Sequence, residues 1–325
     1  MAPGTAGGAA PHGGIAMNAS MRWTRPVRIA RAALAAALTG LVALALPLAA
    51  GAMDVVSDQT VTGFKFPESV GCDADARVLY VGQFGSALKP LEKDGQGYIG
   101  KVSLTGAVLD EKFLPAGGAP LNKPKGIWIA KGMLWVTDID VVWQFDLKTR
   151  KGRKVGLPGI QFANDPTVLG DTLYVTDNRG DAVYTVTPAD FLNRSGEPKV
   201  AVAWSGKGVN PNGIYPAQDG SLLLVGFKSN TEARGIWAMR PGQDPKALSQ
   251  PIGRLDGVYE LGNGDLLVTD WDSGALFQWS QQGGKQDLAT GFKGPADHCV
   301  LPDAGGLLVA VPDLVKSELR LVRLK

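Results

Sequence analysis

NDPTVLGDTLYVTDNRGDAVYTVT (164–187) reads as three short strands separated by two tight turns. NDPTVL ends at Gly170-Asp171, TLYVTD follows, and Asn178-Arg179-Gly180-Asp181 leads into AVYTVT. Strands of this length bounded by Gly, Asn and Asp are hairpin signals. The plan returns at 256–280 as DGVYEL, Gly262-Asn263-Gly264, DLLVTD, Trp271-Asp272-Ser273-Gly274 and ALFQWS. Its apolar core, a run closing on valine, recurs as VLYV (78–81), MLWV (133–136), TLYV (172–175), LLLV (222–225), DLLV (265–268) and GLLV (306–309). The closing valines lie 55, 39, 50, 43 and 41 residues apart. A period of forty-odd residues made of short strands predicts an all-β, six-bladed propeller. Residues 85–99 lengthen the first interval as an extended loop between the second and third strands. The last repeat lacks a fourth strand. VVSDQTVTGF (55–64) is the natural candidate to supply it beside ELRLVRLK (318–325), closing the ring and removing an open edge.

The N-terminus is different in kind. Arg22, Arg25, Arg28 and Arg31 precede AALAAALTGLVALALPLAAGA, a basic region, an apolar stretch and small residues ending at Ala52. This predicts a cleavable export signal over residues 1–52 and one propeller domain over 53–325, in the periplasm or secreted. Pro47 and the shortness of the apolar stretch argue against a membrane anchor. Removing residues 1–52 takes away four arginines and no acids, moving the formal charge from +2 to −2. No basic stripe remains, which excludes nucleic acid as the expected partner. Two cysteines, Cys72 and Cys299, fall in the first and last repeats. A disulfide locking the ring and two buried thiols are both open. The positions align one residue out of step, which favours buried thiols, because one residue reverses the face of a strand.

The inner strands begin with Pro67-Glu68-Ser69, Pro124-Lys125-Gly126, Asn164-Asp165-Pro166, Pro211-Asn212-Gly213, Asp256-Gly257 and Pro295-Ala296-Asp297-His298. Each of Asn-Gly and Asp-Gly is by itself an ordinary turn dipeptide. Their recurrence at one register of a ring is the signal. Glu68, Asn164, Asn212 and Asp256 present two carboxylates and two amide oxygens from four directions, a donor set for a hard cation such as Ca²⁺, with Zn²⁺ or another divalent ion as the alternative. Asp138, Asp177 and Asp270 close VTD motifs at the same edge and read as turn formers. Trp128, Trp135, Trp143 and Trp271 read as packing between blades. No phosphate loop, serine nucleophile elbow or Cys/His zinc spacing is present.

The set resembles the SMP-30/gluconolactonase/LRE-like family of six-bladed propellers and, more distantly, the paraoxonases. Glu68 in FPESVGCD, Asn164 in QFANDPTV, Asn212 in NPNGIYP and Asp256 in RLDGVYELGNGDLLV stand where that family carries its metal ligands. The resemblance covers the whole mature chain. It departs at blade one, which lacks Gly-Pro after the glutamate, and at blade three, which reads Asn-Asp-Pro. What it implies is a metal-dependent hydrolase of a small-molecule lactone or related ester, working at the channel mouth. By their chemistry Asp256, Glu68 and His298 are the candidate catalytic groups of such a site, and Lys125, Asn164, Asp165 and Asp297 its candidate substrate contacts; a histidine satisfied in the channel wall and a solvated rim lysine are the alternatives for His298 and Lys125. The competing class is a non-catalytic propeller similar to NHL-repeat proteins, binding a ligand or protein with a structural metal or none.

Overall fold

In the structure, a computed structural model, residues 53–117, 120–229 and 232–325 are described. The expected export signal lies outside them. Six four-stranded antiparallel sheets follow one another along the chain. Blade one runs Pro67–Asp73, Val78–Gln83, Tyr98–Ser103 and Val108–Leu114 from the axis outward. The inner strands of blades two to six are Pro124–Ala130, Ala163–Leu169, Pro211–Pro216, Leu255–Glu260 and Cys299–Asp303. The valine-closed runs are the second strands. Their residues are buried along nearly their whole length because a neighbouring blade covers each face. That double burial is why they read as continuous apolar runs rather than alternating ones.

The ring closes as the leftover segments suggest. Val55–Thr62 forms the outermost strand of blade six beside Glu318–Leu324, with Val61 opposite Leu319. One blade therefore contains both ends of the domain, and its last strand does not present a bare edge. Six apolar clusters lie at the six blade-to-blade interfaces, for instance Tyr80 and Phe113 of blade one with Leu134 and Phe145 of blade two. The hydrophobic core is thus distributed between blades, which leaves the axis available for polar groups.

The expectation of two buried thiols is corrected here: Cys72 and Cys299 are joined by a disulfide, with their Cα atoms 5.6 Å apart. The alternation argument fails because it governs strands of one sheet, and these strands belong to different blades. A Cβ placed on Gly71 would meet Ile127 and Ile129 of blade two at 2.4 and 2.8 Å. Gly71 faces blade two, so its neighbour Cys72 faces the other way, toward blade six. There Ser69 bridges Asp297 in parallel, bringing the two inner strands side by side.

Candidate functional site

Inner strands are edge strands whose free edge faces the channel, which suits the prolines at Pro67, Pro124 and Pro211. In blades one to five the ladder to the second strand slips by one residue at this end. The slips fall between Pro67 and Ser69, Pro124 and Ile127, Ala163 and Pro166, Pro211 and Ile214, and Leu255 and Val258. They contain Glu68, Lys125, Asn164, Asp165, Asn212 and Asp256. Bulges re-aim side chains, and here they free successive residues from strict alternation. Asn164 and its neighbour Asp165 are both buried, each with a side-chain oxygen that has no partner.

The glycines beside these residues have a different role from the turn role read in the sequence. Gly126, Gly213 and Gly257 lie in strands without left-handed backbone. A Cβ on Gly126 would stand 2.1 Å from Asp165 Oδ1, and one on Gly213 would stand 2.2 Å from the Asp256 carbonyl oxygen. On Gly257 it would stand 2.5 Å from His298 Nδ1 and 2.9 Å from Asp297 Oδ1. These glycines let the next blade approach. Gly257→Ala is therefore expected to displace Asp297 and His298 and to cost about 1–3 kcal/mol as overpacking. Denaturant unfolding would show it, with Gly262→Ala, which has open space, as control.

Glu68, Asn164, Asn212 and Asp256 are only 2 % to 7 % exposed. Glu68 Oε2, Asn164 Oδ1, Asn212 Oδ1 and Asp256 Oδ1 are all buried without a hydrogen-bond partner. Orphaned buried oxygens are costly and need explanation, and four of them on the four residues of one donor set fit a bound cation. Among the described residues no group of three or more His, Cys, Asp or Glu side chains is arranged for a metal. That is compatible with a set half made of amides. Burial drives the Glu68 carboxyl well above the usual range; Asp256 and Asp297 push it further, and Lys125 opposes them. Burial also raises Asp256 to about 7, against the hydrogen bonds of the Trp271 indole and the Asn212 amide. The Trp271 indole donates to Asp256 Oδ2 at 2.9 Å, leaving Oδ1 free. Asp165 is raised by burial and then by Asp297, Glu68 and Asp256. Asp297 is raised by burial and then by Asp256. Four carboxyl groups therefore act on one another at the axis.

Lys125 is fully buried, its ammonium 4.5 Å from the Phe162 ring centroid and 5.8 Å from that of Phe84. Burial lowers it to about 8, and Glu68 and Asp138 counteract this. Phe227 meets Trp271 edge-on at 5.3 Å. Among the described residues these aromatic groups crown the end where inner strands begin. Lys123 fixes the crown, donating to the Phe84 carbonyl at 3.0 Å and to Asp94 of the long loop at 2.7 Å. The structure puts a cavity of about 320 Å³ farther along the inner strands, past the layer formed by Glu68, Asn164, Asn212 and Asp256. Asp165, Asp297 and His298 line it, whereas Glu68, Asn164, Asn212, Asp256 and Lys125 do not. His298 is buried with neither ring nitrogen partnered, and burial lowers it to about 3. Trp128 and Trp271, read as packing residues, belong to the site. Trp128 rims the cavity and meets Tyr215 edge-on at 6.1 Å, and Tyr215 meets Tyr259 at 4.9 Å.

The VTD motifs divide their work. Asp138 accepts the Asn122 and Lys123 amides, Asp177 those of Gln161 and Phe162, and Asp270 that of Arg254, each fixing the approach to its own inner strand. The threonines reach the next blade instead. Thr137 donates to the Asn164 carbonyl, Thr176 to that of Asn212 at 2.7 Å, and Thr269 to that of Ala296 at 3.0 Å. Sequence reading passed over these hydroxyls, although their place directly after the closing valine was visible.

No family model matches the chain, and no curated protein matches it. Solved structures do. A putative gluconolactonase aligns with a TM-score of 0.61 at 13 % identity, covering 84 % of this chain and 94 % of that one. A catalytically inactive virginiamycin B lyase from Staphylococcus aureus, with quinupristin, gives 0.53 at 15 % identity over 83 % and 99 %. A streptogramin B lyase gives 0.52 at 14 % over 83 % and 98 %. These likenesses show the fold. At such identities the site has to be argued from its own residues.

Proposed function

We propose that the protein is an exported, metal-dependent propeller enzyme that hydrolyses a lactone or related ester on its axis. The observation that carries this reading is the coincidence of four orphaned buried oxygens with Glu68, Asn164, Asn212 and Asp256. A divalent ion, Ca²⁺ by the hardness of the donors, would be held there and would supply Lewis-acid polarisation of the carbonyl. Asp256 would take a proton from water as that water's oxygen bonds to the acyl carbon. As the acyl carbon–oxygen bond breaks, that proton passes to the departing ring oxygen. Glu68 would hold another side of the donor set, and neutral His298 would face the substrate from the cavity side. Asn164, Asp165, Asp297 and Lys125 would orient the substrate. The disulfide supports export, since such bonds persist in oxidising compartments.

A lactone and aryl-ester panel tests this with wild type, Glu68→Gln and Asp256→Asn. The expected result is turnover in wild type and a loss of about a thousandfold or more in both variants, with folding intact, as expected when several kcal/mol of charge stabilisation goes. Product mass separates hydrolysis, which adds one water, from the elimination that the lyase neighbours suggest, which adds none. A folded wild-type protein inert across the panel would favour the non-catalytic reading.

A further inference from the structure

We propose that the cavity beyond the ligand layer is a binding site for a primary ammonium group carried on a small apolar body. At about 320 Å³ it has the size of a small-molecule pocket and far exceeds what an ion needs. Its walls include Val70, Ile127, Ile214 and Val258, and Trp128, Tyr215 and Tyr259 rim it. Its polar end is acidic. Asp165 is 3 % exposed with Oδ1 unpartnered, and His298 is 5 % exposed with both nitrogens unpartnered. Asp297 lines the same floor, packed with His298 against Gly257.

The donor count favours an ammonium over a metal. A hard divalent ion seeks six to eight oxygens, and the floor offers two carboxylates among aliphatic walls. An R–NH₃⁺ group has three N–H donors. Asp165, Asp297 and the acceptor nitrogen of a neutral His298 supply three acceptors, and the walls take the stem.

Isothermal titration with phenethylamine, 2-phenylethanol and phenyltrimethylammonium, with and without calcium, tests the proposal. Phenethylamine is expected to bind one-to-one and at least about tenfold more tightly than the alcohol, as charge-assisted bonds do. The quaternary ion keeps the charge but lacks N–H donors, and should bind about tenfold more weakly than the amine. Asp297→Asn should weaken the amine about tenfold and leave the alcohol unchanged, whereas Trp128→Ala should weaken both alike. Equal binding of amine and alcohol, equal binding of the two cations, or no binding of the amine would overturn it. So would uptake of a second divalent ion abolished by Asp297→Asn. The wild-type comparisons decide the matter even if that variant does not fold. Lactone turnover and calcium uptake are separate readouts, so failure of the hydrolase reading leaves the amine result standing.

Discussion

With divalent ions chelated, raising the pH from about 4 to about 8 is expected to remove roughly 4 kcal/mol of unfolding free energy through Asp256 alone. Asp256 sits near 7 in the folded protein because burial penalises its charged form, against about 3.9 in an unfolded chain. The folded state therefore binds this proton more tightly. Its contribution is fully present below the unfolded value, declines as pH rises through the folded one, and is flat above it. Three units at about 1.4 kcal/mol each set the size. Glu68, Asp165 and Asp297 are raised by the same burial and steepen the decline. Calcium should reverse it at the alkaline end, adding about 2.7 kcal/mol at a hundredfold excess over its dissociation constant. Asp256→Asn should flatten part of the pH profile and abolish the calcium response. Thermal or urea unfolding across pH, in chelator and in calcium, is the measurement. A chelated wild type indifferent to pH, or a variant that responds to calcium as wild type does, would refute the assignment of Asp256 to a buried cation site.

How far the sequence could be read depends on which physical rule governs each residue. The valine-closed runs announce themselves because blade packing buries both faces, and that leaves a one-dimensional trace. Ring closure was legible from an unpaired early strand and a blade short by one. That Glu68, Asn164, Asn212 and Asp256 stand at the starts of four inner strands was legible from register. The bulges beneath them were not visible, since a slip in pairing leaves no mark in composition; Gly213 and Gly257 therefore read as turn residues rather than as relief for the adjoining blade. The disulfide is not legible from alternation, because the one-residue rule does not hold between strands of two different sheets. The cavity was equally hidden, because its lining comes from the inner strands of all six blades and no local pattern encodes that. Trp128 and Trp271 look like any other strand tryptophan until Asp256 and the cavity rim are in place around them.

Replacing both cysteines, Cys72→Ser with Cys299→Ser, is expected to cost about 3 kcal/mol and to lower the unfolding midpoint by about 5–10 °C. The bond spans 227 residues, so in the unfolded chain it closes one of the longest loops this domain allows. Loop-closure entropy alone would give about 5 kcal/mol for that length, but measured gains usually fall short of it. Folding should survive the change. The outer strand Val55–Thr62 closes the ring independently through its ladder to Glu318–Leu324 and the Asp58–Arg320 ion pair. The effect is therefore one of degree, located at the interface between blades one and six. Reductant should lower the midpoint of wild type by the same amount and leave the double variant unmoved. Because Cys72 and Cys299 also line the cavity, a ligand there should protect the bond, and its reduction should slow when phenethylamine is bound. A double variant as stable as oxidised wild type would show that the strand closure alone holds the ring.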